Sequence, residues 1–212
     1  MAVLRRCLRE PIDSIEVAAR MLDAAVTAHL NGDASEALRL LIASNLNGVR
    51  DWTESLWGKG SDFAPRDPYF SNPPLRSVPE RMPDTKTQAA LHDRDGYYCR
   101  FCGIPVIRKQ VRERLRKLYS AAALWGRRNQ DQHAALQCMW AQYDHVLPHS
   151  RGGTNELLNV VVTCAPCNFG RMQYTLEEAA LQNPLTREPR RGPWDGLERL
   201  LHASPAGSKG AA

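Results

Sequence analysis

The sequence lacks any long hydrophobic run. No stretch approaches the roughly 18 consecutive apolar residues that a membrane-spanning helix requires. The first ten residues contain arginines but no apolar segment of signal-peptide length. We therefore expect a protein without a membrane-spanning segment, and we expect it to be cytoplasmic.

Acidic residues are fewer than basic ones. The chain has 23 Asp and Glu against 28 Lys and Arg, which gives a net charge of +5 and a pI near 9.0. A basic excess of this size favours a polyanionic partner such as nucleic acid. The 212 residues, 43% of them apolar, suffice for one medium domain with an appendage or for two small domains.

Cysteine is scarce, but four of the six cysteines are grouped. They form two C-x-x-C pairs, Cys99 with Cys102 and Cys164 with Cys167. Cytosolic cysteines are normally reduced, and no thioredoxin-like βαβ pattern surrounds the first pair, which disfavours a redox dithiol. Four thiolates in two tight turns are the ligand set of structural Zn²⁺. We predict that these four cysteines bind zinc.

Residues 12–57 have helical periodicity. Asp13 and Asp33 each precede a glutamate by three positions, as in helix N-cap pairs. The apolar stripes that follow are Ile15, Ala19, Leu22 and Val26 in the first segment and Leu38, Leu41, Ile42 and Leu46 in the second. We predict an N-terminal helical region over residues 1–58 that forms core and carries no chemistry. Its surface is a candidate site for a protein partner or a homo-oligomer.

Composition divides the rest of the chain into three parts. Residues 59–85 contain six prolines, and we interpret this segment as a linker. Residues 86–183 hold the cysteine pairs and are predicted to form the functional domain. Residues 184–212 are predicted to be a basic tail that is partly disordered.

Residues 104–130 are interpreted as an insertion that contains a basic helix. Six cations lie between residues 108 and 117, with Glu113 the only acid among them. Two interpretations stay open, a solvated helix surface and a contact to a phosphate backbone. The candidate nucleic-acid contacts are Arg108, Lys109, Arg112 and Arg116.

The stretch from Tyr143 to Gly153 carries the densest group of reactive side chains. Asp144 offers a hard oxygen ligand suited to Mg²⁺ or Mn²⁺. His145 is its neighbour on an extended strand, where successive side chains point to opposite faces, so it is available as a general base. Asn168, just after the second cysteine pair, would supply a second oxygen ligand.

The order of these motifs resembles a known family. C-x-x-C, then D-H-x-x-P-x-S-x-G-G, then C-x-x-C-N is similar to the zinc-containing branch of the HNH endonucleases, over about residues 93–181. The resemblance implies an α+β fold with a ββα-metal motif, in which a β-hairpin carries Asp-His and a helix carries the last ligand. It implies that His145 is the general base, that Asp144 and Asn168 bind the catalytic cation, and that Asn159 is the middle asparagine that orients the base. Independently of the resemblance, Asn159 is placed to hold the His145 loop through its side-chain amide.

Two features depart from the family pattern. The final ligand position is Asn168 rather than histidine, as in phage junction-resolving relatives, which leaves the preferred metal open. In addition, 41 residues separate Cys102 from Asp144, a long interval that the inserted basic helix would explain.

Three more residues near the motif are candidates. His149 has two interpretations, a contact to the scissile phosphate or metal-bound water and a loop histidine outside the chemistry. Arg151 and Arg171 are expected to contact nucleic-acid phosphates, with a solvated surface charge as the alternative for Arg151.

The sequence therefore predicts a metal-dependent endonuclease that hydrolyses DNA, with structural Zn²⁺ and catalytic Mg²⁺ or Mn²⁺. One alternative is a zinc-stapled nucleic-acid-binding module without catalysis, and another is a nuclease directed at RNA. The adjacent Asp144 and His145 favour catalysis, because a purely structural zinc fold does not need that pair. Contacts to a 2′-hydroxyl cannot be read from sequence.

Overall fold

The structure, a computed structural model, describes residues 4–57, 61 and 82–202. Most of the predicted linker over residues 59–85 and the end of the predicted tail, from residue 203, lie outside this set. No helix within it combines the length and apolar character needed to cross a membrane. Helices and one small two-stranded sheet make up its regular structure.

The N-terminal part consists of three helices. They are α1 (Asp13–Leu30), α2 (Ala34–Ala43) and α3 (Asn47–Trp57). The predicted cap at Asp33 is confirmed, because its carboxylate accepts a hydrogen bond of 2.9 Å from the backbone N–H of Glu36. The predicted cap at Asp13 is wrong. Ile12 is the N-cap residue, and Asp13 lies in the first turn, where its charge favours the positive end of the helix dipole.

The predicted apolar stripes hold for α1 and fail in part for α2. All four predicted residues of α1 are buried. In α2, Leu41 is buried, whereas Leu38 and Ile42 are 37% and 59% exposed. The buried face of α2 contains Ala37 and Leu41, which lie one turn apart. Ala37, rather than the predicted Leu38 and Ile42, therefore packs into the core beside Leu41.

The remaining elements share one hydrophobic core with α3. They are α4 (Thr85–Asp95), α5 (Lys109–Leu118), α6 (Ala134–Cys138), β1 (Ala141–His145), β2 (Val160–Cys164), α7 (Ala165–Arg171) and α8 (Arg199–His202). Helix α3 packs against α6 and α7, and its Trp52 and Leu56 belong to the same buried cluster as Val161 of β2. The predicted division into domains stays a prediction.

Strands β1 and β2 form an antiparallel hairpin that α7 follows directly. The register pairs Ala141 with Cys164 and His145 with Val160. Strand β2 is buried along its whole length, as its valines favour. The hairpin therefore puts Asp144 and His145 at the end of β1, and it puts Cys164 at the junction with α7.

The described part of the C-terminal segment packs on the first cysteine turn. Arg187 donates to the carbonyl of Arg100 at 2.7 Å, and Arg190 donates to that of Gly103 at 2.7 Å. Trp194 Nε1 donates to the carbonyl of Val106 at 3.0 Å. These bonds tie the segment to the turn that carries Cys99 and Cys102.

Candidate active site

Four buried thiols meet at one point. Cys99 and Cys102 lie in the turn after α4, Cys164 ends β2, and Cys167 is in the first turn of α7. Their sulfur atoms all lie within 4.8 Å of one another, with 3.6 Å between those of Cys102 and Cys164. Zn–S bonds of about 2.3 Å in a tetrahedron separate the sulfurs by about 3.8 Å. The predicted four-cysteine cluster is confirmed, and it could hold a zinc ion.

Gly103 closes the first cysteine turn. Its φ of +81° lies in the left-handed region, which favours glycine. Its N–H donates to the carbonyl of Cys99 at 2.9 Å, and Arg6 Nη2 lies 3.0 Å from the position that a Cβ would take. A glycine after the C-x-x-C pair is therefore part of the geometry that directs both sulfurs inward.

Asp144 is buried at the end of β1, where Arg171 holds its carboxylate. Arg171 Nη2 lies 2.5 Å from Oδ1, and Nε lies 3.0 Å from Oδ2. The guanidinium also donates to the carbonyls of His145 and Tyr174. Burial raises the pKa of the Asp144 carboxyl, and the Arg171 cation opposes that rise. The carboxylate is thus fixed in position by the last residue of α7.

Asn155 is the hydrogen-bond partner of His145. The Nε2 atom of His145 lies 2.8 Å from Asn155 Oδ1, and the ring centroids of His145 and His149 are 5.7 Å apart. Burial lowers the pKa of His145, which favours the neutral form of its imidazole. Asn155 is absent from the sequence-based prediction, although it is one of two asparagines in the loop between the strands.

Asn159 holds the loop that follows His145. Its Oδ1 accepts from the N–H of Leu147 at 2.8 Å, and its Nδ2 donates to the carbonyl of Thr154 at 2.9 Å. A Cβ on Gly153 would lie 1.8 Å from the Leu147 carbonyl oxygen, and Gly152 has a φ of +90°. The two glycines allow the close approach and the turn on which the Asn159 bonds depend.

The polar residues of the two motifs line one cleft of about 1020 Å³. Asp144, His145, His149 and Asn168 all contribute to its wall. Within the ranges that the structure describes, no side chain shares a hydrogen bond with the Asn168 amide. The structure therefore brings together the proposed base, both proposed cation ligands and the second histidine.

Comparison with known families agrees with this arrangement. Residues 139–185 match the family model described as HNH endonuclease. This segment, called the HNH segment below, is similar to the HNH endonucleases. The HNH segment contains β1, β2 and α7 together with Asp144, His145, His149 and Asn168. The match indicates nuclease activity on nucleic acid. No curated protein and no solved structure matches the chain.

Two cations predicted to contact nucleic acid are buried instead. The Arg171 side chain, at the end of α7, is 1% exposed and holds Asp144. The Arg112 side chain is 4% exposed, and its guanidinium lies 3.6 Å and 4.5 Å from the ring centroids of Trp125 and Trp140. Because neither guanidinium reaches solvent, these two residues do not offer a phosphate contact in this conformation.

The other four predicted contacts lie outside the lining of the cleft. Arg108 pairs with Glu198, Arg116 with Glu113 and Arg151 with Glu178. Lys109 is exposed at the start of α5. Their role as phosphate contacts stays a prediction.

Proposed function

We propose that this protein is a metal-dependent endonuclease that hydrolyses phosphodiester bonds in DNA. The observation that carries the proposal is the meeting of His145, Asp144 and Asn168 in one cleft of the HNH segment. Phosphodiester hydrolysis needs a base to activate water and a cation to stabilise charge on the phosphate. The three side chains supply one base and two oxygen ligands.

His145 is the general base in this proposal. When its Nε2–H donates to Asn155 Oδ1, the other ring nitrogen, Nδ1, carries the lone pair that takes a proton from water. Asn155 thus fixes the tautomer and the ring orientation. Asn159 acts indirectly, because its hydrogen bonds to the backbone of Leu147 and Thr154 hold the loop that follows His145.

Asp144 and Asn168 are the ligands that would hold Mg²⁺ or Mn²⁺. Carboxylate and amide oxygens are the hard donors that these ions prefer. A carboxylate has about four lone-pair sites, so the two bonds from Arg171 leave sites for a cation. Bound there, the cation would stabilise the negative charge that develops on the phosphate and the leaving oxygen.

The four-cysteine cluster is proposed to hold structural Zn²⁺. It joins the turn after α4 to the junction of β2 and α7, and all four of its thiols are buried. The ion would thereby fix the start of the helix that carries Asn168. Closed four-thiolate sites of this kind are structural rather than catalytic.

The ion pair between Asp144 and Arg171 favours a second candidate function. A carboxylate whose charge is already balanced by a buried guanidinium attracts a cation less strongly. The alternative is therefore a zinc-stapled nucleic-acid-binding module without catalysis.

Cleavage assays separate the candidates. The protein with Mg²⁺ or Mn²⁺ is expected to nick or cut supercoiled plasmid DNA, and His145→Ala to abolish this without changing the zinc content. His202→Ala, which truncates an exposed histidine at the end of α8, is the matched control and should cleave normally. Equal rates for His145→Ala and the parent would refute the catalytic assignment. Branched DNA, single strands and RNA as parallel substrates test the choice of DNA.

A further inference from the structure

The cleft beside His145 has a wall that the proposed hydrolysis does not use. Three aromatic rings, those of Trp57, Trp140 and Phe169, contribute to it. Besides Asn168, the amide side chains that line the cleft are Asn129, Gln132, Gln137, Gln142 and Gln173. Among the described residues that line the cleft, none is a lysine or an arginine. The wall is thus aromatic and amide-rich, and it carries no positive charge.

Phe169 packs against both tryptophans and is the most exposed of the three residues. Phe169 lies 5.3 Å from the ring of Trp57 and 6.0 Å from that of Trp140, measured between centroids. Arg112 and Trp125 both pack against the ring of Trp140. Phe169 nevertheless remains 41% exposed. An apolar ring held in place but open to the cleft is a surface on which a flat ligand can stack.

A nucleobase fits this wall better than a phosphate backbone does. Backbone binding depends on Lys and Arg, which the lining does not provide. Bases stack on aromatic side chains regardless of sequence, and glutamine or asparagine amides can bond their edges. Bases inside a duplex are stacked on their neighbours, so only an unpaired or flipped base presents its face.

Two residues of this wall, Phe169 on α7 and Gln142 on β1, lie on the elements that carry the proposed cation ligands. Phe169 follows Asn168 directly in α7. Gln142 precedes Asp144 by two residues in β1, so both side chains point to the same face of the hairpin. A base on Phe169 would therefore belong to a nucleotide next to the phosphate at Asp144 and Asn168.

We propose that this cleft binds an unpaired nucleobase adjacent to the scissile phosphate, stacked on Phe169. The substrate class is then single-stranded nucleic acid, or a duplex with a bulged or flipped nucleotide. This inference rests on the proposed nuclease function, since it identifies the substrate of the same site.

Binding measurements test the inference apart from catalysis. The His145→Ala protein, which is expected not to cleave, is titrated with a fluorescently labelled single strand, a fully paired duplex and a duplex with one bulged nucleotide, all of equal length. The single strand and the bulged duplex are expected to bind about tenfold more tightly than the paired duplex. Adding Phe169→Ala should remove that preference and leave affinity for the paired duplex unchanged within about twofold.

A matched control uses Leu158, an apolar residue that is 81% exposed and does not line the cleft. Adding Leu158→Ala to the His145→Ala protein should leave all three affinities unchanged. Tighter binding of the paired duplex, absence of binding, or an equal effect of Phe169→Ala on all three ligands would each overturn the inference. A single-strand preference that depends on Phe169, in a parent protein that cleaves nothing with Mg²⁺ or Mn²⁺, would support the base site and refute the catalytic proposal.

Discussion

Arg171 and Asp144 form a bidentate ion pair inside the protein, with N–O distances of 2.5 Å and 3.0 Å. The pair ties the last residue of α7 to the end of β1. Asn168 lies three residues before Arg171 on the same helix. The pair therefore helps to set the separation of the two proposed cation ligands, so that the arginine positions the site without facing nucleic acid.

Arg171→Ala is expected to destabilise the protein by about 3–5 kcal/mol, because it leaves a buried carboxylate without its partner. Urea unfolding measures the loss. Asp144→Ala should cost less in the Arg171→Ala protein than in the parent, since the two residues are coupled. Arg39→Ala, which breaks an exposed pair with Glu36, is the control and should leave the unfolding free energy essentially unchanged. An Arg171→Ala protein as stable as the parent would contradict this account.

The four-cysteine cluster and the Asp144–His145 pair could be predicted because the sequence signals that mark them are local. A C-x-x-C spacing brings two sulfurs together through one turn, whatever the rest of the fold does. Adjacent residues on a strand likewise stay adjacent. The cap at Asp33 has the same character, because its hydrogen bond spans only three residues.

Partners that depend on the path of the chain could not be predicted. Asn155 reaches His145 only because the loop between the strands folds back along β1. Arg112 is buried beside Val111 on α5, whereas an arginine within a run of cations is ordinarily expected on the exposed face of a helix. The burial of Arg112 depends on two tryptophans that lie 13 and 28 positions further along the chain.

Removing one thiol of the cluster should release zinc and unfold the surrounding structure. The parent is expected to contain about one zinc per chain by atomic absorption, and Cys164→Ser to lose it with a large fall in stability, because metal binding and folding are linked. Cys138→Ala is the matched control. It also removes a buried thiol, but one outside the cluster, so zinc should be retained. Full zinc content in Cys164→Ser would disprove the four-ligand site.

Gly153→Ala should disrupt the loop after His145. The new methyl group would lie 1.8 Å from the Leu147 carbonyl oxygen and 2.8 Å from Asn159 Nδ2, which forces backbone to move at a cost of about 1–3 kcal/mol. We expect lower stability by urea unfolding and a loss of cleavage through displacement of Asn159. Gly48→Ala serves as the control, since only Ser14 Oγ lies near its Cβ position, at 3.7 Å. A similar effect at both glycines would rule out the steric explanation.

His133 is a buried neutral histidine that joins α2 to α6. Its Nδ1 accepts from the N–H of Leu136 at 3.3 Å, and its Nε2 donates to the carbonyl of Leu41 at 2.9 Å. Protonation of Nδ1 would replace an acceptor with a donor that faces another donor. Burial lowers the pKa of His133 from 6.5 to about 4.

The free energy of unfolding should depend on pH through the protonation of His133. Between about pH 6.5 and about pH 4 the unfolded chain binds a proton that the folded protein does not, so stability falls as the pH falls. The decrease in the free energy of unfolding that this residue causes reaches about 3 kcal/mol near pH 4. Urea unfolding of the parent and of His133→Gln at a series of pH values measures it, because acid effects on the cysteine cluster are common to both proteins and cancel in the difference. The stability advantage of the parent should shrink as the pH falls through this window, and an advantage that stays constant would show that His133 does not remain neutral in the fold.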